Sequence, residues 1–143
     1  MLATGFVVYD PDGLVERLRA RATEALDTVP SVSPASLVAR RYGVATLLED
    51  ALDIADVDPE MCQALLAGAV EGAVRYRFWE ASQWQPRHKE LLRALFHLDP
   101  ILAQQAREFY ASTNARDRIR LARKVVQCSV GATGFFEWES LIE

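Results

Sequence analysis

Cysteine, histidine and long apolar runs are all scarce in this chain, and each scarcity closes off a class of function. The two cysteines, Cys62 and Cys128, form neither a CxxC nor a Cys/His spacing. A zinc site is therefore not expected, and buried free thiols are. No apolar stretch approaches the roughly 20 residues that cross a bilayer. Phe6-Val7-Val8-Tyr9 is too short for the core of a signal peptide and lacks a basic start, so a cytoplasmic location is expected. Positive charge is not in excess either. The 16 Lys and Arg stand against 20 Asp and Glu, a net charge of -4, which argues against a general binder of DNA or other nucleic acid. There is no GxSxG elbow, no glycine-rich phosphate loop and no paired-carboxylate arrangement in a plausible cleft. No cofactor is expected.

What remains is a strongly helical pattern on a chain of 143 residues, large enough for one domain with a real core. Prolines punctuate it. Asp10-Pro11, Ser33-Pro34, Asp58-Pro59 and Asp99-Pro100 each place a capping residue before a proline, and a proline at the first helical position misses no hydrogen bond. The first helix is expected from Asp10-Pro11 to about Thr28, with Leu14, Leu18, Ala22 and Leu26 on one face, followed by a linker from Pro30 to Val32. The second carries Leu37, Val44, Leu48, Ala51, Leu52 and Ala55 at helical spacing, and the third Met61, Leu65, Leu66, Ala69, Ala73 and Tyr76. Only Val57-Asp58 separates them, so they should lie antiparallel. Pro86 is read as opening a short helix to Leu98. Asp99 starts another with Leu102, Ala106 and Phe109 inward. Asn114 caps a last one with Ile119, Ala122, Val125, Val126 and Ser129, which Gly131 and Gly134 stop. The fold expected is all-α, an up-and-down bundle of five to six helices. Residues 1–10 form a short extended arm, 11–134 the bundle, and 135–143 an aromatic and acidic tail. Gly5 to Asp10 reads as a lone strand that would need a partner's sheet.

Folding the second and third helices back on each other brings Arg40 and Arg41 toward Arg75 and Arg77. Like charges do not gather for stability, so an anionic ligand or acidic partner is indicated. The segment RYRFWEASQWQPRHKE adds Trp79, Trp84, Arg87, His88 and Lys89 at the same end. Aromatic faces beside guanidinium groups suit a nucleobase and its phosphates. The plainer reading is that both tryptophans are core corners. Lys89 and Arg93 are placed on one helix face. Gly68 and Gly72 lie four apart, and close helix packing is favoured over a ligand groove. Glu49, Asp53 and Asp56 share a face on helical spacing, but no histidine accompanies them and no metal site is assigned. Arg116, Arg120, Arg123 and Lys124 form a basic stripe, read as solvated surface. Of the histidines, His97 is read as capping or packing and His88 as the better candidate for chemistry.

The run from Arg41 to Phe109, with its segments LLEDALDIAD, ALLAGAVEGAVRYRF and WQPRHKELLRALFHLDP, resembles the C-terminal helical domain of small nucleotidyltransferases. This is the kanamycin-nucleotidyltransferase-like, HEPN-related substrate-binding bundle. GFVVYDPDG resembles the strand that leaves the catalytic domain in such proteins. The resemblance implies a module that binds substrate or nucleotide beside a separate catalytic subunit or domain. Arg41, Arg75, Arg77, Arg87, His88 and Lys89 would hold phosphate, and Trp79 or Trp84 would offer a stacking face. The catalytic Gly-Ser followed by Asp-x-Asp is missing: the Asp56-Val57-Asp58 corner has no Gly-Ser upstream. The chain is therefore not expected to transfer a nucleotide alone. A related branch contains metal-independent ribonucleases, built on an arginine and a histidine four to six residues apart on a helix. Here Arg93 with His97 is one residue too tight and Arg87 with His88 adjacent, which puts that activity in doubt. A homodimer, through the arm and the aromatic tail, is a further expectation, with a ligand-free homodimeric scaffold as the third reading.

Overall fold

The computed structural model describes residues 5–132. The expectations for Gly134 and for the tail from Phe135 onward lie outside the described residues. Six helices follow in order: α1 (Leu14–Asp27), α2 (Pro34–Asp53), α3 (Pro59–Glu80), α4 (Leu91–Leu98), α5 (Pro100–Ala111) and α6 (Ala115–Val130), with a 3-10 turn at His88–Glu90 before α4. The chain is all-α, and Gly5 to Asp10 form no strand. It divides into two compact units, Met1–Ser31 and Val32–Glu143, a division that falls inside the predicted linker.

In the first unit, α1 begins three residues later than Asp10-Pro11 suggests. The Asp10 carboxylate accepts from the Glu16 backbone N–H at 3.0 Å, and Gly13 supplies the left-handed conformation of the turn. Arg19 donates to the Gly5 carbonyl, tying the extended residues to the helix. The anticipated apolar face of α1 is not buried: Leu14, Leu18 and Leu26 are exposed, and no residue of the helix is buried.

The second unit holds the core. Three of its helices start with proline after a cap, as the sequence indicates. Ser33 accepts from Ser36 N–H at 3.2 Å, Asp58 from Met61 N–H at 3.0 Å and Asp99 from Leu102 N–H at 3.0 Å. Asn114 caps α6 through Asp117 N–H, and Gly131 ends it in the left-handed region. Helix α3 runs through the centre, packed on α2, α6, α4 and α5. It buries Cys62, Leu66, Ala69, Val70, Ala73, Val74, Tyr76 and Phe78. Met61, placed inward by the sequence pattern, is exposed instead.

Helices α2 and α3 are antiparallel, since Gly68 faces Leu47 and Gly72 faces Val44. A methyl group built on Gly72 would meet Val44 Cγ2 at 2.8 Å, whereas one on Gly68 would sit at an ordinary 3.7 Å from Leu47 Cδ1. Close packing therefore calls for glycine at position 72, whereas position 68 has room for a methyl group. Across the same core the Ser129 hydroxyl donates to the Ala73 carbonyl at 2.6 Å. This explains how a polar residue occupies an inward position of α6. Cys62 is buried, but Cys128 is exposed, correcting the expectation of two buried thiols. Burial pushes the Cys62 thiol pKa up, so it stays protonated and inert.

Candidate functional site

The arginines expected to form a basic pole are each engaged separately. Arg41 donates from Nε to the Val130 carbonyl at 2.9 Å, closing the end of α6. Arg77 donates from Nε to Asp99 at 3.1 Å and from NH1 to Glu80 at 2.7 Å. Partial burial works against its charge, but the bonds to Asp99 and Glu80 outweigh this and hold its pKa above the ordinary range. Arg77 is thus tied to the α4–α5 corner. Arg40, which is exposed, sits over Trp79 with the guanidinium carbon 4.5 Å from the ring centroid. That contact marks where the antiparallel pair brings the start of α2 to the end of α3. Trp84, Arg87 and Lys89 are exposed. Lys89 lies in the 3-10 turn and not in α4, so it does not continue the helix of Arg93.

Arg75 and His88 do come together. Arg75 donates from Nε to Glu71 Oε1 at 2.8 Å and from NH1 to Gln85 Oε1 at 3.3 Å, while its NH2 lies 2.9 Å from His88 Nδ1. Gln85 also donates to the Arg75 carbonyl at 2.9 Å, locking the chain that leaves α3 against it. His88 Nδ1 is in turn 3.2 Å from Glu71 Oε1. A guanidinium only donates, so a nitrogen that accepts from Arg75 carries a lone pair and cannot donate to Glu71. A proton on that nitrogen reverses the preference, favouring Glu71 and opposing Arg75. The imidazole side chain is 82% exposed.

This network borders a shallow pocket of about 230 Å³ lined by Glu71, His88, Leu91, Leu92 and Tyr110. Leu91 and Leu92 supply an apolar wall, and the three polar side chains supply donors and acceptors. Burial raises the Tyr110 phenol pKa, and the nearby Glu71 charge raises it further, so the hydroxyl remains a donor at neutral pH. Glu71 neutralises Arg75 directly. The site offers directed hydrogen bonds, not net positive charge.

Glu71, Gln85 and Tyr110 were absent from the residues singled out in the sequence. Glu71 could have been found as the i,i+4 partner of Arg75. Tyr110 carries no local signal, because only the packing of α5 brings it there. The acidic trio fares differently: α2 ends at Asp53, so Asp56 leaves the helical face, and no group of potential metal ligands occurs among the described residues. His97 stands exposed with its ring edge against Phe96, and Arg93 pairs with Glu90 at 3.8 Å. No helix among the described residues is long and apolar enough to cross a membrane. Compared with known proteins, the chain matches no family model, no curated protein and no solved structure.

Proposed function

We propose that this bundle is a non-catalytic binding module, one that presents a nucleotide or related polar substrate to a separate nucleotidyltransferase domain. The observation that carries the reading is the Glu71–Arg75–Gln85–His88 network at the edge of an apolar-walled pocket. A pocket of about 230 Å³ is smaller than the roughly 300–1,000 Å³ of sites that enclose a whole drug-sized ligand. It would hold part of a nucleotide rather than enclose the whole. With Arg75 neutralised by Glu71, the recognised part is neutral and hydrogen-bonding. Phosphate would extend toward Arg87 and Lys89, the exposed cations that flank His88 in sequence. Arg41 and Arg77, held by Val130 and Asp99, take structural parts in this scheme.

The test is a titration of the labelled protein with a nucleoside, its monophosphate and inorganic phosphate, followed by amide NMR. Shifts at Glu71, His88, Leu92 and Tyr110 with nucleoside and monophosphate, and none with phosphate alone, are expected. His88→Ala should weaken binding by about tenfold, the loss of one directed hydrogen bond. No shift at millimolar nucleoside would end the reading. The accessory role is tested separately by copurification from the native cell, where the partner should carry Gly-Ser followed by Asp-x-Asp.

One observation favours a second reading. Arg75 and His88 meet at 2.9 Å although they are 13 residues apart, and an arginine–histidine pair is what metal-independent RNA cleavage uses. His88 would take the 2′-hydroxyl proton as that oxygen attacks phosphorus, Arg75 would stabilise charge on the phosphate, and the departing 5′-oxygen would take a proton from solvent as its bond to phosphorus breaks. His97 has no comparable network. An RNA cleavage assay decides: cleavage lost in a folded His88→Ala variant supports this enzyme, and an inactive wild type removes it.

A further inference from the structure

The end of α6 and the start of α2 meet at one pole of the second unit. Arg41 binds the Val130 carbonyl, so the chain leaves α6 directly beside it. Gly131 then turns the backbone through the left-handed region. Next to this exit, Arg40 lies exposed over the half-buried Trp79. Neither Arg40 nor Arg41 takes part in any ion pair among the described residues. Among the described residues the pole is therefore a cationic and aromatic surface, and Glu80, the carboxylate next to Trp79, is already paired with Arg77.

The sequence that follows is its chemical complement. Residues 133–143 read TGFFEWESLIE, with Phe135, Phe136, Trp138, Leu141 and Ile142 as large apolar side chains, Glu137, Glu139 and Glu143 as acids, and no basic residue. Five large apolar side chains among 11 residues is the composition of a segment that buries against something. From Phe136 onward apolar and acidic residues largely alternate, so an extended chain would turn carboxylates to one side and rings to the other. Glu137 lies seven residues beyond Val130, within at most about 25 Å of the exit beside Arg41.

We propose that segment 133–143 docks in cis on this pole, with Glu137 and Glu139 meeting Arg40 and Arg41 and Trp138 packing beside Trp79. The segment then covers a surface that would otherwise attract anions. This inference does not depend on the Glu71 pocket.

Hydrogen-exchange mass spectrometry on the full chain tests it, with the free 133–143 peptide as reference. At low salt the segment should exchange about fivefold more slowly than the peptide, the protection given by a pair of partly exposed ion pairs. High salt should erase much of that difference. Arg40→Glu, at an exposed position, should bring exchange close to the peptide rate, and adding Glu137→Lys and Glu139→Lys should restore protection. Exchange at the peptide rate in the wild type overturns the proposal. Protection indifferent to Arg40→Glu and to salt overturns it too. Protection that grows with protein concentration, alongside a dimeric mass, assigns the segment to a second copy and likewise overturns docking in cis.

Discussion

Helix α3 buries eight of its side chains completely or nearly so, whereas α1 buries none. Both helices carry apolar residues at helical spacing, and the difference lies in how many sides are apolar. In α3 the apolar and small residues run through Leu65, Leu66, Ala67, Ala69, Val70, Ala73 and Val74, which covers most of the circumference. A helix apolar on several sides can be covered only by several neighbours, and α2, α4, α5 and α6 all pack on it. In α1 a single stripe of Leu14, Leu18, Ala22 and Leu26 runs between Arg17, Arg19, Arg21, Glu16 and Glu24. One stripe needs only one neighbour and fixes nothing about which. Period alone identifies a helix, and the breadth of the apolar surface identifies the central one.

The largest expected effect breaks this contrast directly. Leu66 is fully buried and Leu18 is 38% exposed. Leu66→Ala should cost about 2–5 kcal/mol, the usual range for a leucine removed from a closed core. Leu18→Ala should change stability by less than about 0.5 kcal/mol. Urea unfolding of both variants measures the difference. Similar losses would mean that α1 is covered after all.

A finer contrast lies within the α2–α3 seam. Gly72→Ala places its methyl 2.8 Å from Val44 Cγ2, on a stiff β-branched side chain. It should destabilise by about 1–3 kcal/mol through overpacking. Gly68→Ala meets only an ordinary contact with Leu47 at 3.7 Å, so the helix-propensity gain of about 1 kcal/mol should dominate and stabilise. Opposite signs at two glycines on one helix face are the diagnostic result, read from melting temperatures. The same sign at both would mean that Val44 relaxes freely.

The seam also shows what the sequence could and could not disclose. Caps at Ser33, Asp58, Asp99 and Asn114, and the stop at Gly131, are local chemistry and were legible from residue type. The antiparallel pairing followed from a short corner. What the sequence left out of the basic cluster was the carboxylate partners of Arg75 and Arg77. Glu71 is one turn away and was available, but Asp99 reaches Arg77 only through the α4–α5 corner. Tyr110 reaches the pocket in the same manner, by the docking of α5. Helix boundaries fail for a related reason. The anticipated helix from Pro86 starts as a 3-10 turn at His88, because Gln85 is held by the Arg75 backbone.

Asp99 and Asp58 sharpen the comparison between a cap that is only local and one that also joins elements. Both accept from a backbone N–H at 3.0 Å, but Asp99 also accepts from Arg77. Asp58→Ala should cost about 1 kcal/mol, an ordinary cap. Asp99→Ala should approach about 2 kcal/mol or slightly more, since a half-buried guanidinium loses a charged partner. A double variant with Arg77→Met isolates the shared part, and full additivity would show that the Arg77–Asp99 bond contributes nothing.

The smallest expected effect concerns the start of α1, where burial gives no support and polar bonding must act alone. What solvent the Asp10 carboxylate loses tends to raise its pKa. The backbone N–H groups of Glu16, Val15 and Leu14, with the Arg17 charge, act the other way and leave it lowered. A lowered folded-state value means that the carboxylate supports the helix start above the ordinary aspartate value of about 3.9. That support fades as pH falls through the lower, folded value. Carboxyl NMR of Asp10 should therefore titrate below the ordinary range, with the Glu16 amide moving in step. Asp10→Asn keeps an acceptor but loses the charge, so the Glu16 amide should no longer follow that titration. If Asp10 instead titrates at or above the ordinary value, the bond to Glu16 does not hold the beginning of α1.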